Sequence, residues 1–141
     1  MAGDGVVEGD GYSVAPSLDA LGEGYGFRKV RRKLEVTEFG ANVITLPPSY
    51  ASGSHYHDTQ QELYFVHRGT LVMTFGDGSE HEISEGGAAR VDAATVRSTR
   101  NASATEDVVY LIVGGKGGYI GRDAHEPEGE GTARGPGLPD A

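Results

Sequence analysis

No stretch of this chain runs far without a turn residue. Glycine and proline together make up 29 of 141 residues, 23 Gly and 6 Pro, and this punctuation leaves little room for a long helix. Between the turns lie eight short β-rich runs: Arg28–Val36, Ala41–Pro47, Glu62–Arg68, Thr70–Phe75, His81–Ile83, Ala88–Val91, Thr95–Asn101 and Asp107–Val113. Strands of this length and spacing predict an all-β sandwich or barrel. Gly76-Asp77-Gly78-Ser79 separates two of the runs, and Asp-Gly is a strong hairpin signal. The one helical candidate is a weak turn around Ser17–Leu21 with Ser17 as its cap. The basic run Arg28-Lys29-Val30-Arg31-Arg32-Lys33 is read as a strand with solvated sides.

The ends have little to bury. Residues 1–11 are rich in Gly and Asp and are expected to be flexible. Residues 122–141 are rich in Gly, Pro, Glu and Ala with Leu138 as the single large aliphatic residue, and are expected to be a disordered tail. Residues 12–121 then form one domain with a barrel core over about 28–114, and 14.8 kDa supplies apolar material for one core only. The net charge of −9 repels phosphate backbones and anionic membranes, so neither nucleic acid nor membrane is an expected partner. Without cysteine there is no disulfide, thiolate metal site or thiol nucleophile. No leader-like apolar segment opens the sequence, and a cytoplasmic location is expected.

Alternation within strands sorts the side chains by face. Along Glu62–Arg68, one face carries Glu62, Tyr64 and Val66, and the other Leu63, Phe65 and His67. Both are largely apolar, as are both faces of Val108–Val113. A single small barrel can bury one face of each, so a homodimer is expected to cover the other. His67, opposite Glu62, is expected to be a packing or interface residue.

The densest chemistry is His55-Tyr56-His57 followed five residues later by Glu62. Histidines at i and i+2 in extended chain project from one face, and a carboxylate on the adjacent strand can complete a metal set. Imidazole and carboxylate together suit a divalent transition ion, Fe, Mn, Ni, Cu or Zn. Gln61 could take the acidic position at a shorter spacing, but an amide oxygen is the poorer ligand.

These residues resemble the cupin family. Its first motif, G-x5-H-x-H-x(3,4)-E-x6-G, is matched by His55, His57, Glu62 and Gly69, with Ser49 in the first glycine position. The second, G-x5-P-x-G-x2-H-x3-N, overlays on Gly86, Asp92, Ala94, Arg97 and Asn101, where only Gly86 and Asn101 agree. The resemblance implies a double-stranded β-helix, or jelly-roll barrel, and a metal held by His55, His57 and Glu62. It also implies oxygenase, isomerase or lyase chemistry, or simple binding, on a small polar molecule. The family's usual fourth ligand is a histidine where this chain has Arg97, which has no lone pair to donate. Three readings of Arg97 follow: it pairs with Glu62, it clamps an anionic ligand, or it runs along the barrel wall to the mouth. Tyr64 shares Glu62's face and is a second candidate for substrate contact. The alternative function is a non-catalytic binding or sensing module with a degenerate metal site and Arg97 as its anion clamp.

Overall fold

A computed structural model describes residues 5–115 and 124–125. The runs between the turns fold as antiparallel strands. In chain order the elements are β1 (Val7–Gly9), β2 (Tyr12–Val14), a 3-10 turn (Leu18–Leu21), β3 (Gly26–Arg28), α1 (Val30–Leu34), β4 (Gly40–Leu46) and β5 (Tyr56–His57). They continue with β6 (Glu62–Arg68), β7 (Leu71–Phe75), β8 (Glu80–Ile83), β9 (Ala88–Val91), β10 (Arg97–Asn101), β11 (Val108–Gly114) and β12 (Ala124–His125). Two sheets carry the core, one of five strands in the order β3-β4-β11-β6-β9 and one of three in the order β10-β7-β8. Bridges from Ala51 to Arg100 and from His55 to Arg97 add the 51–55 segment to the free edge of β10.

Alternation decides what faces the interior. On β6, Tyr64 and Val66 are buried while Leu63, Phe65 and His67 are exposed. Tyr64 and Val66 pack with Ile44 and Leu46 of β4 and with Val108 and Tyr110 of β11, and Leu71 and Met73 of β7 close the same core. The β7–β8 turn forms as expected from its sequence. Asp77 Oδ1 accepts from the Ser79 amide at 2.9 Å and from its hydroxyl at 2.7 Å, and Gly78 takes φ 87°.

One expected strand is a correction. Arg28–Val36 is not a single extended run: β3 ends at Arg28 and residues Val30–Leu34 form α1. Arg31, Arg32, Lys33 and Leu34 are all good helix formers, and Val30 and Leu34 stand four apart, so one helix face holds both half-buried side chains. The helix ends where Glu35 enters the left-handed region at φ 59°. The run Thr95–Asn101 also begins pairing later than expected, at Arg97, because the Thr95 amide turns back onto the Asp92 carbonyl at 3.1 Å. The 3-10 turn follows Ser17, whose side chain makes no capping hydrogen bond.

Short pairings occur in both end segments. β1 pairs with β2 in an outlying hairpin with an exposed first strand. β12 pairs with β5, placing Ala124 opposite His57; the rest of the expected tail, and residues 1–4, lie outside the described residues. No helix among the described residues is long and apolar enough to cross a membrane.

Candidate metal centre

The two histidines are delivered by the backbone. His55 exchanges both amide–carbonyl hydrogen bonds with Arg97, at 2.9 and 3.0 Å, so the two residues stand directly opposite each other at the edge of β10. The His57 amide donates to the Ala93 carbonyl at 2.7 Å. With that segment extended, both imidazoles project the same way, their rings edge to face at 5.2 Å. Glu62 arrives from the other sheet at the first position of β6, opposite Gly114 of β11. A Cβ on Gly114 would sit 3.1 Å from the Glu62 Cγ, so the glycine leaves room for the carboxylate to turn inward.

One donor atom from each of His55, His57 and Glu62 lies within 4.8 Å of the others, and this is the one such cluster found among the described residues. The two carboxylate oxygens of Glu62 have different neighbours. Oε1 accepts from Arg97 Nη2 at 2.8 Å and from the Tyr64 hydroxyl at 2.9 Å. Oε2 faces the histidines, 3.3 Å from His57 Nε2. Gln61, the other acidic-position candidate, instead spends its amide on Asp92 Oδ1 at 2.7 Å. His67 is exposed on the opposite strand face.

Arg97 is fully buried. Besides Glu62 it reaches the carbonyls of Thr95, Ala93 and Asp92 through Nη1 at 2.5, 3.1 and 3.5 Å, and the Tyr64 hydroxyl through Nε at 3.5 Å. Of the three readings of this residue, the geometry is that of the Glu62 pair. Tyr64 is equally enclosed, 1% exposed and stacked on Tyr110 at 6.1 Å between ring centres.

Electrostatics follow from these contacts. Burial pushes the Glu62 carboxyl up, but the hydrogen bond and charge of His57 and then of Arg97 outweigh it and lower it to about 2. Burial, with the Arg97 charge second, lowers His55 to about 4. At neutral pH His55 is therefore an uncharged imidazole, and its buried Nδ1 has no hydrogen-bond partner. An orphaned imidazole nitrogen beside an ionised carboxylate is what a transition-metal donor set needs, so these residues fit a metal ion. Burial raises the Tyr64 hydroxyl well above its ordinary value, and it stays protonated.

The family model for the cupin domain matches residues 42–114, more than half of the chain. The chain belongs to the cupin family. Among solved structures, this cupin is similar to a cupin protein from Bacteroides fragilis at 19% identity and TM-score 0.61, covering 76% of this chain and 86% of that one. It is similar to a putative sugar phosphate isomerase from Acidithiobacillus ferrooxidans at 21% identity and TM-score 0.61, covering 72% of this chain and 64% of that one. A DMSP lyase from Ruegeria pomeroyi matches at 17% identity and TM-score 0.56, covering 65% of this chain and 45% of that one. No curated protein matches. These likenesses establish the double-stranded β-helix.

Sequence reasoning did not single out a second group of polar side chains, on Ser52, Thr99 and Tyr110. The Thr99 hydroxyl lies 2.9 Å from the Ser52 hydroxyl and 3.1 Å from the Tyr110 hydroxyl. The signal was available, since Arg97, Thr99 and Asn101 alternate along β10 and all three are buried.

Proposed function

We propose that this cupin holds one divalent transition-metal ion, Fe, Mn, Ni, Cu or Zn, on His55, His57 and Glu62, and binds or transforms a small polar molecule beside it. The observation that carries the reading is the convergence of two imidazoles and a carboxylate within 4.8 Å, with the buried His55 Nδ1 unpartnered. A metal there would polarise a carbonyl or hydroxyl oxygen, or activate dioxygen if it is iron. The protein's part is positional: Arg97 and Tyr64 hold Oε1 of Glu62, which turns Oε2 toward the histidines. Elemental analysis of the purified protein by mass spectrometry tests this. The native protein should carry about one transition-metal ion per chain, and the double change His55→Ala, His57→Ala should carry none while remaining a folded β protein. Metal that survives the double change would place the ion elsewhere.

The Arg97–Glu62 pair at 2.8 Å favours a second reading, a metal-free binding or sensing module in which the carboxylate is already neutralised. Absence of metal from the native protein, also after incubation with each candidate ion, selects it. A homodimer belongs to either reading, since Leu63 and Phe65 of the outer β6 face are 47% and 39% exposed. A monomeric mass by light scattering at micromolar concentration would remove the dimer and leave the metal centre untouched.

A further inference from the structure

The outer face of the five-stranded sheet is covered on one side and bare on the other. Cross-strand register sets two rows of side chains there, Val113–Leu63–Arg90 and Leu111–Phe65–Ala88, each running from β11 across β6 to β9. The same rows reach Ala41 and Val43 on β4, against which α1 packs, and these two residues are buried. On β6 the rows stand open at Leu63 and Phe65. Leu63, Val113 and Arg90, with Phe39, also line a groove of about 470 Å³ at the end of the sheet.

The β1–β2 hairpin is turned inside out with respect to its own chain. Val7 and Val14 pair on one of its faces, which Tyr12 shares with its ring lying over Gly9, while Glu8 and Ser13 pair on the other. The Ser13 hydroxyl donates to the Leu34 carbonyl at 2.7 Å, so the polar face is the one that meets α1. The apolar face points away, with Val7, Tyr12 and Val14 exposed by 56%, 61% and 48%. A two-stranded hairpin is marginal in water unless its apolar face is packed, and this one is packed by its polar face.

We propose that the hairpin of a second copy of this chain docks on the bare rows, with Val7, Tyr12 and Val14 against Leu63, Phe65 and Val113, and that the exchange is reciprocal. The inference rests on the homodimer reading of the outer β6 face and names the occupant of that face. Charge fits the pairing as well as apolar area does. Residues 5–14 carry Glu8 and Asp10 and no cation, whereas the charge within the two rows is Arg90. Asp92 lies 3.3 Å from the Arg90 Nε, and both side chains are largely exposed, so the acidic turn joins them at a solvated rim. A two-fold exchange uses each patch once and closes on itself, which leaves no apolar face to propagate a chain of copies.

The chain has no cysteine, so introduced cysteines report the contact directly. Val14→Cys and Leu63→Cys proteins, co-expressed and mildly oxidised, are expected to form a disulfide-linked dimer that neither forms alone. Glu8→Cys, on the opposite hairpin face, should not cross-link to Leu63→Cys. By analytical ultracentrifugation, Val7→Asp with Val14→Asp should raise the dimer dissociation constant by roughly a hundredfold, and Arg90→Glu by about tenfold. The cross-link decides alone if a charged variant does not fold. Self-cross-linking of Leu63→Cys without the mixed product would put a second β6 face in the hairpin's place and overturn the docking. An intrachain disulfide in the double variant Val14→Cys, Leu63→Cys would overturn it by folding the hairpin onto its own sheet. A dimer with no mixed cross-link and an unchanged dissociation constant in the charged variants removes the docking and keeps the dimer, whereas a monomeric native protein removes both.

Discussion

Two segments meet across the His55–Arg97 bridge, and they carry unequal parts of the site. Residues 49–69 provide all three donors. Residues 86–101 provide none, yet the positions there that match the second cupin motif are the ones that shape the backbone. Gly86 takes φ 85°, and the buried Asn101 ties three carbonyls together. The difference teaches that the barrel and its donor set are separable: the second segment can build its wall of the cavity with an arginine where a fourth ligand would project. It also shows what the first segment depends on, since among the described residues Glu62 is the carboxylate that pairs with the fully buried Arg97 guanidinium.

The largest effect should come from breaking that dependence. Glu62→Ala removes a metal ligand and leaves Arg97 buried without a carboxylate, an expected loss of about 3–5 kcal/mol in denaturant unfolding of the metal-free protein. Glu62→Gln keeps an acceptor for Arg97 and Tyr64 and should lose roughly half as much. Equal losses in the two variants would mean that charge pairing contributes little at this contact.

Acid should separate the donors by pH. His55 has a folded value of about 4 against an ordinary 6.5, so between these values the unfolded chain binds more protons. Its contribution is complete above pH 6.5 and is lost as pH falls toward 4, on the order of 3 kcal/mol. Glu62, at about 2 against an ordinary 4.5, contributes fully above pH 4.5 and loses its share as pH falls toward 2. As far as these two groups set it, stability of the metal-free protein should thus level off above pH 6.5 and decline in two overlapping steps below it. His55→Ala should erase the upper step alone; an unchanged profile in that variant would assign the step to another group.

Asn101→Ala probes the second segment in the same way. The side-chain amide donates to Leu46, Pro47 and Glu106 carbonyls at 3.2, 3.1 and 2.7 Å, and its oxygen accepts from the Ser103 amide at 2.9 Å. Truncation should cost about 2–3 kcal/mol by thermal or chemical unfolding. Metal content should stay unchanged, because no donor moves. Metal loss in a folded Asn101→Ala protein would join the two segments more tightly than their separate roles allow.

What could be read in the sequence divides along similar lines. Strand alternation placed Glu62 and Tyr64 inside and His67 outside, because period-two burial is a property of each strand taken alone. The His55, His57, Glu62 spacing was equally local. Arg97's role was not, since its three readings differ only in which groups surround the guanidinium, and those come from β6 and the 92–95 turn. The basic run before β4 failed for another reason: alternation was counted where the i, i+4 pair Val30 and Leu34 decides, and a helix of five residues gives too short a periodic signal.

The smallest expected effect concerns the one place where the first segment departs from its motif. Gly69, at φ 83°, has no room for a side chain, because a Cβ there would lie 2.7 Å from the Asp107 carbonyl oxygen. Ser49, in the other glycine position, also takes a left-handed φ, 64°, but it is exposed. The backbone has kept the glycine conformation while the residue carries a Cβ, which costs roughly 1–2 kcal/mol. Ser49→Gly relieves that cost and partly offsets the gain by giving the unfolded chain more freedom, so a net stabilisation of about 0.5–1 kcal/mol is expected. The measurement is a shift of the denaturant midpoint with an unchanged slope. Destabilisation would mean that the serine side chain contributes more than its strain costs, and Ser49 would then be a residue selected for its hydroxyl rather than a glycine position that a serine tolerates.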